Sequence, residues 1–185
     1  MTISALGGST STGPEGVEGA IVAFADLAEL RAAEPADVRD KIVFVDEVMA
    51  RSRDGSGYAI AVAKRRETAY LAEKLGARAA LIRSAGTSNH RFAHTGQMRR
   101  TLEAGPVGVP AAALSAPDAD HLRRVLGYGE TVSMKLVITT ETLPAAASGN
   151  VVAEIVGEEA PEEIVLVGAH LDSWDLGTGA VDDGA

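Results

Sequence analysis

The chain has 185 residues, of which 46% are hydrophobic and 23% charged, which is enough apolar material for one domain, or for a small domain and part of another. The absence of cysteine excludes a disulfide framework, a zinc finger and a thiol nucleophile. No apolar run is long enough to cross a bilayer, and the first residues lack the basic start and apolar stretch of a secretion signal.

The net charge of −9 is distributed unevenly. Residues 1–135 hold all 17 Lys and Arg residues and 16 acidic ones, whereas residues 136–185 hold ten acidic residues and no basic one. Phosphate recognition requires a basic surface that this pattern does not provide. We therefore expect no nucleic-acid partner, and the apolar runs predict no membrane partner.

The apolar pattern predicts alternating strands and helices in the first three quarters of the chain. Short apolar runs predict strands at residues 21–24, 41–45, 79–82, 109–114 and 131–139. Helices are predicted over residues 26–33 and 58–75, and from a cap at Ser115 to Leu126. Stretches rich in polar residues and Gly predict loops at 1–16, 51–57 and 83–106. The result is a compact α/β unit.

Two helix ends are marked by sequence signals. Gly76 is placed as a left-handed stop after the second helix. Ser115, with Asp118 three residues later and Pro117 in the first turn, resembles a capping box in which Asp replaces Glu.

The last 43 residues have a different pattern. Residues 143–149 are typical of a connector, and residues 150–156 and 163–168 predict two strands joined by an acidic turn, as in a hairpin. The run 164–167 is fully apolar, as expected for a strand covered on both faces.

His170 follows this apolar run directly, where α/β proteins display binding groups beyond a strand end. In an extended segment Asp172 points the same way, and its carboxylate can orient the imidazole through a hydrogen bond to one ring nitrogen. The glycines at 177 and 179 permit a chain reversal that would bring Asp182 back to His170. An imidazole and a carboxylate suit zinc or a similar divalent cation.

Each of these residues also has a structural interpretation. His170 can be an ordinary histidine at a strand end, the Asp183-Gly184 pair can mark a turn, and Trp174 can serve packing alone. A dinucleotide loop around Gly177 and Gly179 is disfavoured, because the third glycine is missing. Spacing alone leaves the metal-site and structural interpretations open.

A resemblance favours the metal site. The segment resembles the first metal-binding motif of the dizinc exopeptidases related to carboxypeptidase Q, through His170-Leu171-Asp172-Ser173-Trp174-Asp175, Gly177, Gly179-Ala180 and Asp182-Asp183-Gly184. Upstream landmarks of that family's inserted protease-associated domain occur in order: Ala5-Leu6-Gly7-Gly8-Ser9, Lys41-Ile42-Val43, Gly76-Ala77, Leu81-Ile82-Arg83-Ser84, His94-Thr95-Gly96 and Val109-Pro110-Ala111.

The resemblance implies a function and a role for each residue. His170 would ligate one zinc, Asp182 would bridge two zinc ions, and Asp172 would orient His170 and raise its basicity. A metal-activated water would then hydrolyse a peptide bond at the end of a short peptide substrate. Relatives of this kind are often exported, and the full-length protein could form a homodimer.

The resemblance also implies domain boundaries. Residues 1–17 would end a preceding catalytic segment or linker, 18–142 would form the protease-associated domain, and 148–185 would begin the zinc-peptidase core. The family's general base and further ligands lie downstream of the segment matched by Ala185. We therefore expect an α/β chain, a protease-associated insert followed by an incomplete peptidase core, that is inactive by itself.

A non-catalytic function is the alternative. A protease-associated domain can bind peptides or proteins without chemistry, and residues 18–142 could act in that way alone. His94, in the long loop of this region, is interpreted as a surface histidine in preference to a substrate contact.

Overall fold

The computed structural model describes residues 1–98, 100, 101, 105, 106 and 108–173. The chain divides into two compact units, Met1–Thr142 and Leu143–Ala185. None of the described helices is long and apolar enough to span a membrane.

The first unit is built on a six-stranded sheet. Four neighbouring strands run parallel, and an antiparallel strand closes each edge. The six strands are β1 (Ile3–Ala5), β2 (Val17–Phe24), β3 (Ile42–Val45), β4 (Ala79–Arg83), β7 (Ala111–Leu114) and β8 (Ser133–Leu136). They lie in the sheet in the order β1-β7-β4-β3-β2-β8. A separate antiparallel pair consists of β5 (Arg100–Thr101) and β6 (Gly105–Pro106).

Helices cover both faces of this sheet. The helices in the described part of the chain are α1 (Leu27–Ala32), α2 (Pro35–Val38), α3 (Ser56–Ala61), α4 (Ala63–Lys74) and α5 (Ala116–Leu126). Leu27 and Leu30 of α1 join Val43 and Val45 of β3 in one buried cluster. The alternate β3 residues, Ile42 and Phe44, pack on the opposite face with Leu122 of α5 and others. The central strands are therefore buried on both faces, as their unbroken apolar runs predicted.

The predicted helix ends are confirmed. The hydroxyl of Ser115 accepts a hydrogen bond from the backbone N–H of Asp118 at 3.2 Å, and Pro117 lies in the first turn of α5. Gly76 has φ of 82°, the left-handed conformation that favours glycine after a helix.

Several local features differ from the sequence prediction. Helix α2 was not predicted, β2 begins four residues before the predicted strand at 21–24, and β5 and β6 lie in the predicted loop 83–106. The Gly- and Ser-rich start of the chain contains strand β1, which pairs with β7 from Ile3 opposite Leu114. The helix predicted over 58–75 begins two residues earlier and is interrupted at Val62. There the backbone stays helical, but the N–H of Arg65 bonds to the carbonyl of Val62, three residues back, which tightens the turn.

The prediction of two hairpin strands in the second unit is wrong. The acidic turn is present, since the N–H of Glu163 donates to the carbonyl of Ala160 at 3.0 Å, but residues 143–173 contain neither helix nor strand. The side chains of residues 164–167 are 80% to 91% exposed. A two-stranded hairpin is marginal without a packed face, and these apolar side chains gain no burial from described neighbours.

A buried lysine gives the first unit a pH-dependent stability. Lys64 of α4 is fully buried, and its ammonium group donates to the backbone carbonyl of Glu47. Burial disfavours the charged form and lowers the pKa of Lys64 from 10.5 to about 8. Between these values the unfolded chain holds a proton that the folded chain has released. The free energy of unfolding therefore rises with pH across this interval.

We expect the Lys64→Met variant to lack this rise. Relative to Lys64→Met, the unchanged protein should gain about 3 kcal/mol of unfolding free energy between pH 7 and pH 10.5, measured by urea denaturation at several pH values. The other titrating groups are common to both proteins and cancel in the difference. Parallel pH profiles for the two proteins would contradict the lowered pKa.

Candidate metal centre

His170 and Asp172 lie side by side in the irregular segment after the apolar run. The Nδ1 atom of His170 is 2.8 Å from the backbone carbonyl oxygen of Asp172 and 3.5 Å from its Oδ1. The His170 side chain is 50% exposed and that of Asp172 is 91% exposed. The shorter contact is thus made by the backbone of Asp172, with the carboxylate close behind it.

This arrangement has a consequence for metal binding. If Nδ1 carries the proton and donates to the carbonyl, the lone pair of the imidazole is on Nε2, the nitrogen that a metal would take. The same Nδ1 contact restrains the ring orientation. The part that the sequence assigned to the Asp172 carboxylate, orienting His170, stays a prediction.

The partner expected to complete the site lies outside the described residues. Asp182, together with Trp174, Asp175 and the glycines at 177 and 179, falls in the range 174–185. Within the described part of the chain, no group of three or more His, Asp or Glu side chains is arranged to hold a metal ion. Convergence of His170 and Asp182 therefore remains a prediction.

A charged network at the end of the parallel strands was not foreseen from the sequence. Arg83, the last residue of β4, is 4% exposed, and its Nε donates to Asp46 Oδ1 at 2.7 Å, just beyond β3. Its Nη2 donates to Asp120 Oδ1 of α5 at 2.7 Å. Arg123 bonds to the same two carboxylates, at 3.2 Å and 2.7 Å.

This network connects α5 to two strand ends. Burial disfavours the charge on Arg83, but its hydrogen bonds to Asp46 and Asp120 and their negative charges outweigh that effect and raise its pKa. Because all three of its nitrogens donate to protein acceptors, including Nη1 to the Ala116 carbonyl at 3.2 Å, Arg83 serves the fold. The sequence signal was a lone Arg at the end of an apolar strand, which did not reveal its partners.

A second cation of the first unit is buried differently. Arg65 of α4 is 6% exposed, and its guanidinium contacts the aromatic ring and the hydroxyl of Tyr58. Among the described residues it forms no ion pair with a carboxylate. His94 packs edge-on against Tyr58, with ring centroids 5.9 Å apart. The interpretation of His94 as a surface histidine is thus only partly right, because its ring is half-buried.

Two family models match the chain. Residues 12–122, more than half of the chain, match the PA domain model. The chain belongs to the PA domain family. The matched residues lie within the six-stranded sheet and its helices. Residues 150–185 match the model of Peptidase family M28.

The resemblance to carboxypeptidase Q is confirmed by similar proteins. Carboxypeptidase Q of Bos taurus is 37% identical over 184 residues, and that of Homo sapiens is 35% identical over the same length. Each match covers the whole of this chain, which spans 37% of the length of these relatives.

A solved structure shows the same fold. The crystal structure of a Peptidase M28 precursor from Shewanella amazonensis matches with a TM-score of 0.90 and 44% sequence identity, covering 98% of this chain and 41% of that one. The predicted fold class, a PA-type α/β domain followed by the beginning of a peptidase domain, is confirmed.

Proposed function

We propose that this chain is part of a zinc-dependent exopeptidase that removes residues from the ends of short peptides. The observation that carries the proposal is the match of residues 150–185 to Peptidase family M28, within which His170 and Asp172 are adjacent in space. The similarity to carboxypeptidase Q over the whole chain supports the same class of reaction.

We assign His170 and Asp182 as zinc ligands, with Asp182 shared between two ions and Asp172 positioning His170. The donor types fit zinc, which accepts imidazole nitrogen and carboxylate oxygen. When bound, zinc supplies a water of lowered pKa and polarises a peptide carbonyl. The contribution of this chain would be to hold the imidazole with Nδ1 turned to the carbonyl of Asp172, so that Nε2 would be the nitrogen that binds the metal.

The chain by itself should not catalyse the reaction. Two assigned ligands are fewer than the four donors that a tetrahedral zinc ion takes, and a zinc pair needs more. We propose residues 18–142 as the PA domain and 148–185 as the beginning of the peptidase domain, with 1–17 as a preceding segment. The division of the chain between Thr142 and Leu143 supports the boundary between the two.

Metal titration of the 185-residue chain tests this assignment. We expect weak zinc binding that is further weakened in His170→Ala, and no hydrolysis of dipeptides. An exposed histidine of α5, replaced in His121→Ala, is the matched control and should leave zinc binding unchanged. Tight binding of two zinc ions per chain would contradict the proposed incompleteness, and equal binding by His170→Ala would remove His170 from the ligand set.

A second candidate function is peptide binding by the PA domain without chemistry. It is favoured by an observation in the first unit alone, namely the buried cation Arg65 beside an open cavity. This function is the alternative to the peptidase function, and it involves different residues of the chain.

A further inference from the structure

A crevice lies at the carboxyl ends of β3 and β4, between the loops that follow these strands and helix α5. The connection after β3 contains α4, which packs in the same buried cluster as α1, whereas α5 follows β7 and packs on the opposite face of the sheet. Because these connections lie on opposite faces, a gap opens beyond the strand ends, where α/β proteins bind ligands. Here the gap is an open cavity of about 250 Å³.

The cations around this cavity outnumber the anions. Arg83 and Arg123 are paired with the carboxylates of Asp46 and Asp120, so these four charges balance one another. Arg51, in the loop after β3, also lines the cavity, and it forms no ion pair with a carboxylate of the described residues. The cavity therefore has an excess of one positive charge, which matches a monoanion.

Arg51 is held by an ordered turn. Its Nη2 donates to the backbone carbonyl of Thr87 at 3.3 Å, which links the loop after β3 to the loop after β4. Beside it, the hydroxyl of Ser52 accepts a hydrogen bond from the N–H of Gly57 at 3.0 Å, and any Cβ at position 57 would overlap the carbonyl of Ala50. The cation is thus positioned before a ligand arrives, and one long hydrogen bond leaves most of its N–H groups available to an anion.

The rest of the lining indicates which anion fits. Asn89 contributes an amide that can donate a hydrogen bond, and Val48 and Met49 provide apolar surface near the cations. A carboxylate has the planar two-oxygen shape that a guanidinium recognises, and an aliphatic chain attached to it would contact the apolar side chains. The volume lies below the range of about 300–1,000 Å³ that is typical of drug-sized ligands, which favours a small group. A phosphate dianion fits less well, because it carries two charges and no apolar part.

We propose that this cavity binds a carboxylate on a short aliphatic chain. Arg51 pairs with the carboxylate, Asn89 donates a hydrogen bond to it, and Met49 contacts the chain. The carboxylate belongs either to a free small acid or to a glutamate side chain of another protein, since both present the same group. This cavity shares no lining residue with the cavity beside Arg65, and the proposal stands whether or not residues 150–185 bind zinc.

NMR titration of the isotope-labelled 185-residue chain in metal-free buffer tests the proposal. The probe is the α-amide of Nα-acetylglutamate, and the α-amide of Nα-acetylglutamine is the matched neutral ligand. The two differ only at the end of the side chain, and neither has a terminal carboxylate or amine. We expect the acid to shift the backbone amide signals of Arg51, Thr87 and Asn89. The neutral ligand should bind at least about tenfold more weakly, the effect of losing a charge-assisted hydrogen bond.

Equal binding of the two ligands would overturn the proposal. Shifts confined to the residues around Arg65, with none at Arg51, would overturn it as well, because the carboxylate would then occupy the other cavity.

Arg51→Met is the critical variant, since it removes the cation of an exposed residue. It should bind the acid at least about tenfold more weakly. Arg53→Met is the matched control, an exposed arginine two positions away and outside the lining, and it should bind normally. Asn89→Asp places a second carboxylate beside the ligand and should remove binding. Unchanged affinity in Arg51→Met, or an equal loss in Arg53→Met, would refute the assignment of Arg51.

Two further ligands identify the anion. Butyrate reproduces the glutamate side chain without the rest of the residue. Butyrate binding as tightly as the acetylated amide would support a free small acid as the ligand, and markedly weaker butyrate binding would support a glutamate side chain. Inorganic phosphate binding as tightly as the better of these two would show a general anion site and overturn the carboxylate assignment.

Discussion

Replacing His170 by Ala is expected to abolish peptidase activity in a protein that carries this chain together with the rest of its peptidase domain. The imidazole is the one assigned nitrogen ligand in this chain, and its loss removes a direct metal bond. Removing a residue that only positions a metal ligand lowers activity by about 10- to 100-fold. The fall in kcat/KM for His170→Ala should be larger than that. Activity on dipeptides, together with zinc content per chain, measures it.

The neighbouring carboxylate provides a graded comparison. Asp172→Asn should lower activity by about 10- to 100-fold, because it weakens the restraint on His170 without removing a ligand. A smaller loss would indicate that the 2.8 Å contact with the backbone carbonyl of Asp172 positions the ring by itself. Unchanged activity in His170→Ala, with His121→Ala also unchanged, would refute the metal-ligand assignment.

Replacing Arg83 by Met should cause the largest loss of stability in the first unit. Arg83 is buried, and its removal leaves the buried carboxylate of Asp46 with the half-exposed Arg123 as its one ion-pair partner among the described residues. Breaking a buried ion pair on one side costs about 3–5 kcal/mol when the remaining charge is left unpaired. Because Arg123 stays beside Asp46, we expect a loss near the lower end of that range, about 3 kcal/mol. The free energy of unfolding from urea denaturation measures this loss.

An exposed arginine serves as the matched control. Arg31 pairs with Glu67 at the same 2.7 Å distance, but both side chains are substantially exposed. Arg31→Met should therefore change stability by less than about 1 kcal/mol. Similar losses in Arg31→Met and Arg83→Met would contradict the argument from burial.

A double substitution separates the cost of the unpaired charge from the value of the pair. In Asp46→Leu/Arg83→Met no buried charge is left from that pair, and Arg123 can turn to water. Apolar replacements of a buried ion pair are often neutral or stabilising, so the double variant should recover much of the stability lost in Arg83→Met. A double variant less stable than Arg83→Met would mean that the carboxylate of Asp46 stabilises the fold without Arg83.

The parts of the candidate sites that could be predicted are those encoded by neighbouring residues. His170 and Asp172 are two positions apart, so their proximity followed from the sequence and the structure places them in contact. Tyr58 and Arg65 are seven positions apart in one predicted helix, two turns, and so share a face. Their importance went unnoticed, however, because the cavity depends on Gln97 and Gly96 from a distant loop.

The sequence by itself determined the buried strands, the cap of α5 at Ser115 and the left-handed stop at Gly76. Periodicity and capping are properties of a few consecutive residues, and they act in the same way wherever the segment is placed. Only the tertiary structure decided that β1 pairs with β7, and that Arg83 meets Asp46 and Asp120, each 37 positions away. Those contacts depend on which strand ends become neighbours, and the order of strands in a sheet is settled by packing the whole core.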